Sequence, residues 1–242
     1  MAFPELVAHR GWPRRYPENT LVSIEAAIAA GARYVEVDVQ LTRDLVPVLF
    51  HDENIRRICS MEGTISHYTF EELRRFPASE PGRFGTRYAH ERIPALVELA
   101  ALLARHPGVT AFIELKREAL GSFGIETVLT RVSPDLQPVR AQCVLISFSL
   151  EALAAARAGG WRVGAVIEQW RERKQKALAA LTPEFLFCDV HGLPWWGKLR
   201  FPDAKVVIYE VDDTGLARKL AARGAELIET FAFGELHAAL GG

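Results

Sequence analysis

Three observations predict an α/β fold for this chain, a (β/α)8 TIM barrel with a small insertion after the second strand. Short apolar runs rich in Val, Ile, Leu and Phe alternate with helical stripes, and eight such runs can be counted from Leu6 to Thr230. The chain has 242 residues, the size of one barrel of this kind. Charged residues gather at the C-terminal ends of the first three runs, where such barrels carry reacting groups.

Leu6 to Ala8 is the first strand and ends in His9-Arg10-Gly11. A loop punctuated by Pro13 and Pro17 follows, and Asn19 or Thr20 can cap a helix whose stripe is Leu21, Ile24 and Ile28. Tyr34 to Leu41 alternates without a fault, so Glu36, Asp38 and Gln40 share one face of a strand. In an antiparallel sheet that face would simply be wet. In a parallel sheet strands are apolar on both faces, so acidic residues there must line something. Val46 to Phe50 reads as an extension of this strand, ending in His51-Asp52. From Glu53 to about Arg92 the rhythm breaks, with one short helical piece near Phe70 to Phe76. A segment this long between strands is an insertion, expected to pack over the strand C-termini and shape the site.

The alternation then resumes. Strands are expected at Thr110 to Lys116, Cys143 to Phe148, Val163 to Ile167, Phe185 to Val190, Lys205 to Val211 and Glu226 to Thr230. Helices are expected at Ala95 to Arg105, Phe123 to Val132, Leu150 to Ala158, Arg171 to Leu181, Thr214 to Ala222 and Phe233 to Leu240. The connection after Val190 carries one short helix at most, and the adjacent Trp195 and Trp196 are expected to pack that loop. No linker, low-complexity tract or repeat divides the chain, so 1–242 reads as one domain with an insertion at about 53–92.

Composition excludes several classes. Hydrophobic residues make up 49%, enough for a sizeable core. A net charge of −1 gives no electrostatic case for nucleic acid or an anionic membrane. The three cysteines, Cys59, Cys143 and Cys188, have no metal-ligand or disulfide spacing, which points to a reducing compartment. Neither a signal peptide nor a membrane span is visible, and a cytoplasmic location is expected.

Glu36, Asp38 and Glu114, on neighbouring strands, suit a hard divalent cation such as Mg²⁺ or Ca²⁺. His9 and His51, also at strand ends, can serve as general acid and general base. Arg10 and Lys116 add positive charge and point to an anionic substrate. Asp52 can orient His51, and Glu18 and Asn19 are better placed to position the site than to react. His67, His90, His106, His191 and His237 have no such partners and read as structural or surface residues.

This constellation resembles the glycerophosphodiester phosphodiesterase family. The resemblance rests on Ala8 to Arg57, with its HRG, PENT, E-x-D and HD elements, and on IELK, Ile113 to Lys116. It implies Glu36, Asp38 and Glu114 as metal ligands and His9 and His51 as the acid–base pair. It also implies a glycerophosphodiester as small-molecule substrate, hydrolysed to glycerol 3-phosphate and an alcohol. The later strands depart from the family pattern. Tyr209-Glu210-Val211-Asp212 stands where many members carry W-T-V-N, and Glu229-Thr230-Phe231-Ala232 where many carry T-D-x-P. These departures touch substrate choice rather than reaction type. The rival readings are another metal-dependent barrel enzyme and a barrel that binds without turnover.

Overall fold

Strands that must be apolar on both faces pair best with one another in parallel, and here they close on themselves. The computed structural model describes residues 4–241; the first three residues, part of the segment read above for a signal peptide, and Gly242 lie outside the described residues. The first part of the chain forms β1 (Glu5–His9), α1 (Leu21–Ala29), β2 (Tyr34–Leu41), β3 (Pro47–Leu49), α2 (Arg56–Cys59), α3 (Phe70–Leu73), α4 (Pro81–Phe84) and α5 (Leu96–Ala104). Next come β4 (Thr110–Leu115), α6 (Arg117–Phe123), α7 (Ile125–Leu136), β5 (Cys143–Ser147), α8 (Leu150–Ala158) and β6 (Arg162–Ile167). The last part forms α9 (Lys176–Leu181), β7 (Phe185–Asp189), β8 (Lys205–Tyr209), α10 (Thr214–Arg223), β9 (Leu227–Thr230) and α11 (Phe233–Leu240).

All strands but β3 are parallel, and β1 pairs with both β2 and β9, which closes the (β/α)8 barrel. Its interior is a dry plug of Val7, Phe112, Val144, Val166, Phe185, Phe187, Val207 and Leu227. Phe112 is fully buried and meets Phe185 and Phe187 edge-on, each at 4.9 Å between centroids. A second, larger core lies between the outer strand faces and the helices, as two-sided burial of each strand requires.

Three local expectations change. Val46–Phe50 does not extend β2. It turns back as β3, antiparallel to the end of β2, with Val39 opposite Leu49 and Leu41 opposite Pro47. Helical structure after β4 starts earlier than the apolar stripe implied, as α6 and α7 broken at Gly124, whose φ is +80°. The segment 53–92 folds as short helices on its own small core of Ile55, Ile58, Ile65, Leu73 and Ile93. It packs beside the loop that leaves β1: Glu80 accepts from the Glu18 backbone N–H at 2.7 Å, and Tyr88 donates to the Arg15 carbonyl at 2.8 Å.

Candidate active site

The site is assembled at the C-terminal ends of β1, β2, β4 and β9. Strand register sets its levels, with His9 beside Glu36 and Asp38 beside Glu114. After His9 the chain must turn sharply outward. Arg10 and Gly11 take positive φ, +57° and +88°. A Cβ on Gly11 would stand 2.5 Å from Ser23 Oγ, so the third position of the HRG requires glycine. The turn aims the Arg10 backbone N–H at Glu36 Oε2, 3.1 Å away, and folds its guanidinium over the site.

Asp38 is the electrostatic centre. Its Oδ2 lies 3.1 Å from Arg10 Nε and accepts from Asn19 Nδ2 at 2.8 Å, while Oδ1 lies 3.3 Å from Lys116 Nζ. Asn19 Oδ1 also accepts from the Asp38 backbone N–H at 3.1 Å. Thr20 caps α1, which leaves the Asn19 side chain free to grip Asp38 from both sides. Burial alone would raise the Asp38 pKa, yet Arg10, Lys116 and His51 outweigh it and hold the carboxyl well below the usual range. Burial would likewise lower Arg10, and Asp38 and Glu18 more than reverse that, keeping the guanidinium charged.

Glu36 and Glu114 are different. Glu36 is buried, and burial followed by Asp38 and Glu229 pushes its pKa well above the ordinary value. Glu114 is raised by burial and Asp38, although Lys116 Nζ lies 3.1 Å from its Oε1. Glu36 Oε1 is buried without a hydrogen-bond partner. Carboxylate oxygens of Glu36, Asp38 and Glu114 come within 4.8 Å of one another. An all-oxygen donor set, with one buried carboxylate oxygen unmatched, fits a hard divalent cation.

His51 reaches the site because β3 runs backwards. A continuous extended chain from Asp38 to His51 would separate them by roughly 40 Å. Instead the Phe50 backbone N–H donates to the Asp38 carbonyl at 3.0 Å. Gln40, on the same face as Glu36 and Asp38, clamps the hairpin by donating to the carbonyls of Phe50, His51 and Asp52. His51 Nδ1 is 2.8 Å from Asp52 Oδ1, and Arg57 binds Asp52 through Nε at 2.7 Å and grips Glu18 through both terminal nitrogens. Glu18 in turn accepts from Arg10 at 3.0 Å. Through Arg57 the segment 53–92 therefore braces both His51 and Arg10. None of the cavity-lining residues comes from it, so it acts on the site through these contacts and not as part of the cavity lining.

His9 is buried, its ring stacked on Phe231 at 4.3 Å with 14° between planes. Burial first, then Arg10, lowers its pKa well below the usual value, so the imidazole is neutral near pH 7. Phe231 is held by Asp212 Oδ1, which accepts from its backbone N–H at 3.0 Å and from Thr230 Oγ1 at 2.7 Å.

These groups face a cavity of about 260 Å³. Its other wall comes from β5 to β8 and the residues that follow them: Ile146, Phe148, Val166, Phe187 and Tyr209, with Glu168, Asp189 and Glu210 at the rim. A wider depression of about 730 Å³ at the opposite end of the barrel, between Arg162 and Glu226, contains none of this chemistry. All seven residues singled out from the sequence meet at the mouth: His9, Arg10, Glu36, Asp38, His51, Glu114 and Lys116.

One residue was missed. Glu229 is buried and lines the same cavity, within 4.8 Å of donor atoms of His9 and Glu36, with Oε1 unpartnered. Burial, then Glu114, raises its pKa well above the ordinary value. The signal that could have found it is the one that marked Glu36: a carboxylate inside a parallel strand.

Fold and site together define a class, a (β/α)8 barrel whose C-terminal mouth gathers buried carboxylates, two histidines and two cationic side chains around one cavity. The glycerophosphoryl diester phosphodiesterase family model matches residues 9–120, which contain every one of the seven positions. A glycerophosphodiester phosphodiesterase of Bacillus altitudinis is 38% identical over 122 residues, 50% of this chain and 49% of that protein. Glycerophosphodiester phosphodiesterase 1 of Rattus norvegicus is 37% identical over 177 residues, 73% of this chain and 48% of that one. The chain thus spans about half the length of the curated relatives it matches. A phosphodiesterase of Oleispira antarctica, solved with the product sn-glycerol-3-phosphate, superimposes with a TM-score of 0.86 at 26% identity, covering 99% of this chain and 98% of that one. The chain belongs to the glycerophosphoryl diester phosphodiesterase family.

Proposed function

We propose that this protein hydrolyses glycerophosphodiesters to glycerol 3-phosphate and an alcohol, with His9 and His51 as the acid–base pair. The observation that carries the reading is the convergence of both imidazoles on one cavity beside Glu36, Asp38 and Glu114. The residues work as one barrel domain, with 53–92 as an insertion bracing the mouth. A divalent cation, Mg²⁺ or Ca²⁺, held by Glu36, Asp38 and Glu114 would supply Lewis-acid neutralisation of a phosphate oxygen.

The chain's own groups account for the rest. Arg10 and Lys116 stay charged beside Asp38 and place fixed positive charge where the diester's negative charge must sit. Lys116 bridges Asp38 and Glu114 at 3.3 and 3.1 Å, so it also keeps these carboxylates from repelling each other. His9, neutral and walled by Phe231, takes a proton from the attacking hydroxyl, either water or the neighbouring glycerol hydroxyl. Asp52 accepts the Nδ1 hydrogen of His51, and a second proton carried on Nε2 passes from the imidazolium to the departing alkoxide, leaving the ring neutral. Attack and departure in phosphoryl displacement lie roughly in line, which is why two groups are needed.

The cysteines support a reducing, cytoplasmic setting. All three are unpaired and buried, and burial pushes each thiol up to about 12. Among the described residues no helix is long and apolar enough to cross a membrane. Turnover of glycerophosphocholine and of bis(p-nitrophenyl) phosphate with added Mg²⁺ or Ca²⁺ tests the reading. Cation binding without hydrolysis of either compound would reduce the protein to a binding barrel.

A further inference from the structure

Between β7 and β8 the barrel has no α-helix on its wall. Residues 190–204 run instead from Asp189 at the mouth to Lys205 at the far end as one 3₁₀ turn, Val190–Gly192, and a loop. Arg223, the last residue of α10, donates to the Gly197 carbonyl at 3.0 Å and the Pro194 carbonyl at 2.6 Å, and the Leu199 N–H donates to the Arg223 carbonyl at 2.8 Å. Because α10 starts at the mouth and ends just before β9, these bonds fix 194–199 at the end of the barrel away from the site. There Trp195 is 100% exposed and Trp196 84% exposed, contrary to the expectation that they pack the loop. Their backbone is tied down while both indoles have no cover.

The loop itself is basic. Lys198 donates to the Ala222 carbonyl at 3.2 Å, and Arg223 gives its hydrogen bonds to the loop carbonyls. Arg200 is exposed at the edge of the neighbouring depression. None of the three is paired with a carboxylate among the described residues. From Pro194 to Lys205 the one acid, Asp203, stands against Lys198, Arg200 and Lys205.

We propose that Trp195 and Trp196, with Lys198, Arg200 and Arg223, form a docking surface for an anionic lipid bilayer. Indole rings settle at the level of lipid head groups, with the apolar body inward and the N–H wet. Adjacent cations add attraction to anionic head groups that acts within a Debye length of the surface. A second copy of the chain fits less well, because a two-fold contact sets the same basic patch against itself. The overall charge of −1 is a sum over the whole molecule and does not describe this face. Docked in this way, the protein turns its catalytic mouth toward water.

Co-sedimentation with vesicles of phosphatidylcholine alone, and of phosphatidylcholine mixed with phosphatidylglycerol, tests the surface. The full chain should sediment with the mixed vesicles only, and less as salt is raised. Trp195→Ser with Trp196→Ser, and separately Lys198→Glu with Arg200→Glu, should each weaken binding by roughly tenfold or more. Circular dichroism and hydrolysis of a soluble glycerophosphodiester should stay unchanged in both variants. No sedimentation with either vesicle, or equal sedimentation with both, overturns the proposal. So does a dimer in sedimentation velocity that the tryptophan variant dissociates, since the surface would then belong to copies of this chain.

Discussion

Around β1, β2, β4 and β9 the barrel mouth carries five carboxylates, counting Glu18, of which Glu18, Asp38 and Glu114 are paired with Arg10, Arg57 and Lys116. Across the same cavity, β5 to β8 present Ile146, Phe148, Val166 and Phe187, with charge only at the rim. One half positions Arg10, Glu18, Asp38, Glu114 and Lys116 by ion pairs and hydrogen bonds, where a shift of an ångström breaks a contact. The other offers surface and shape. The family match over residues 9–120 takes in β1, β2 and β4 of the charged half and ends before β5. Phosphate chemistry is common to such a family, whereas the alcohol that leaves need not be.

The largest effect should come from breaking the charged half. Asp38→Ala removes the group that Arg10, Lys116 and Asn19 all hold, and hydrolysis should fall by about 10³-fold or more. A chelator should do the same to the unaltered protein, reversed by Mg²⁺ or Ca²⁺; full rates in excess chelator would remove the cation from the scheme.

Next come the imidazoles. His9→Ala and His51→Ala should each lower kcat by about 10²–10⁴-fold while the cation still binds. A p-nitrophenyl ester needs little help to leave, so it should rescue His51→Ala and not His9→Ala. Rescue of the opposite variant would exchange the two roles.

Asn19→Ala tests support rather than contact. The cation should bind about 10–100-fold more weakly by calorimetry, with the fold retained, because Asp38 loses its two-point grip.

The charged half should also titrate. Burial and neighbouring carboxylates raise Glu36 and Glu229, so above the ordinary carboxyl pKa, about 4.3, the cation-free folded state holds protons that the unfolded chain has lost. The stability from this source is complete below that pH and is lost as pH rises through the raised folded values. Cation binding should therefore release protons, strengthen with pH, and stabilise most at the alkaline end. Calorimetry in buffers of different ionisation heat measures the release, and pH-independent affinity would contradict it.

The smallest effect belongs to the apolar half. Phe187→Ala should change kcat/KM by roughly 10-fold, by amounts that differ between leaving alcohols, and leave cation affinity alone. A loss as large as that of Asp38→Ala would erase the distinction between the halves.

Much of this was legible along the chain because it is local. Alternation from Tyr34 to Leu41 put Glu36, Asp38 and Gln40 on one face, and strand order put Glu114 and Lys116 beside them. The Thr20 cap follows from hydrogen bonding within a few residues, since its side chain accepts from the Ser23 backbone N–H. Periodicity sees spacing and polarity in one segment, and these features need nothing more. It is silent on which way a chain turns. Val46–Phe50 has the same pattern whether it prolongs β2 or folds back along it, and only pairing with β2 decided that His51 returns to Asp38.

Contacts across the closed barrel were beyond the sequence for the same reason. Glu229 reaches Glu36 and His9 because β9 closes on β1, and Phe231 stacks on His9 from the opposite end of the chain. The path of 190–204 down the wall, which leaves Trp195 and Trp196 bare, depends on bonds to Arg223 that no spacing rule contains. The sequence by itself determined the strands, the barrel and the identity of the charged groups, since these rest on near-neighbour periodicity. Tertiary structure alone decided which carboxylates lack partners, what walls the cavity and which apolar residues stay in water, since burial is set by what the rest of the chain brings alongside.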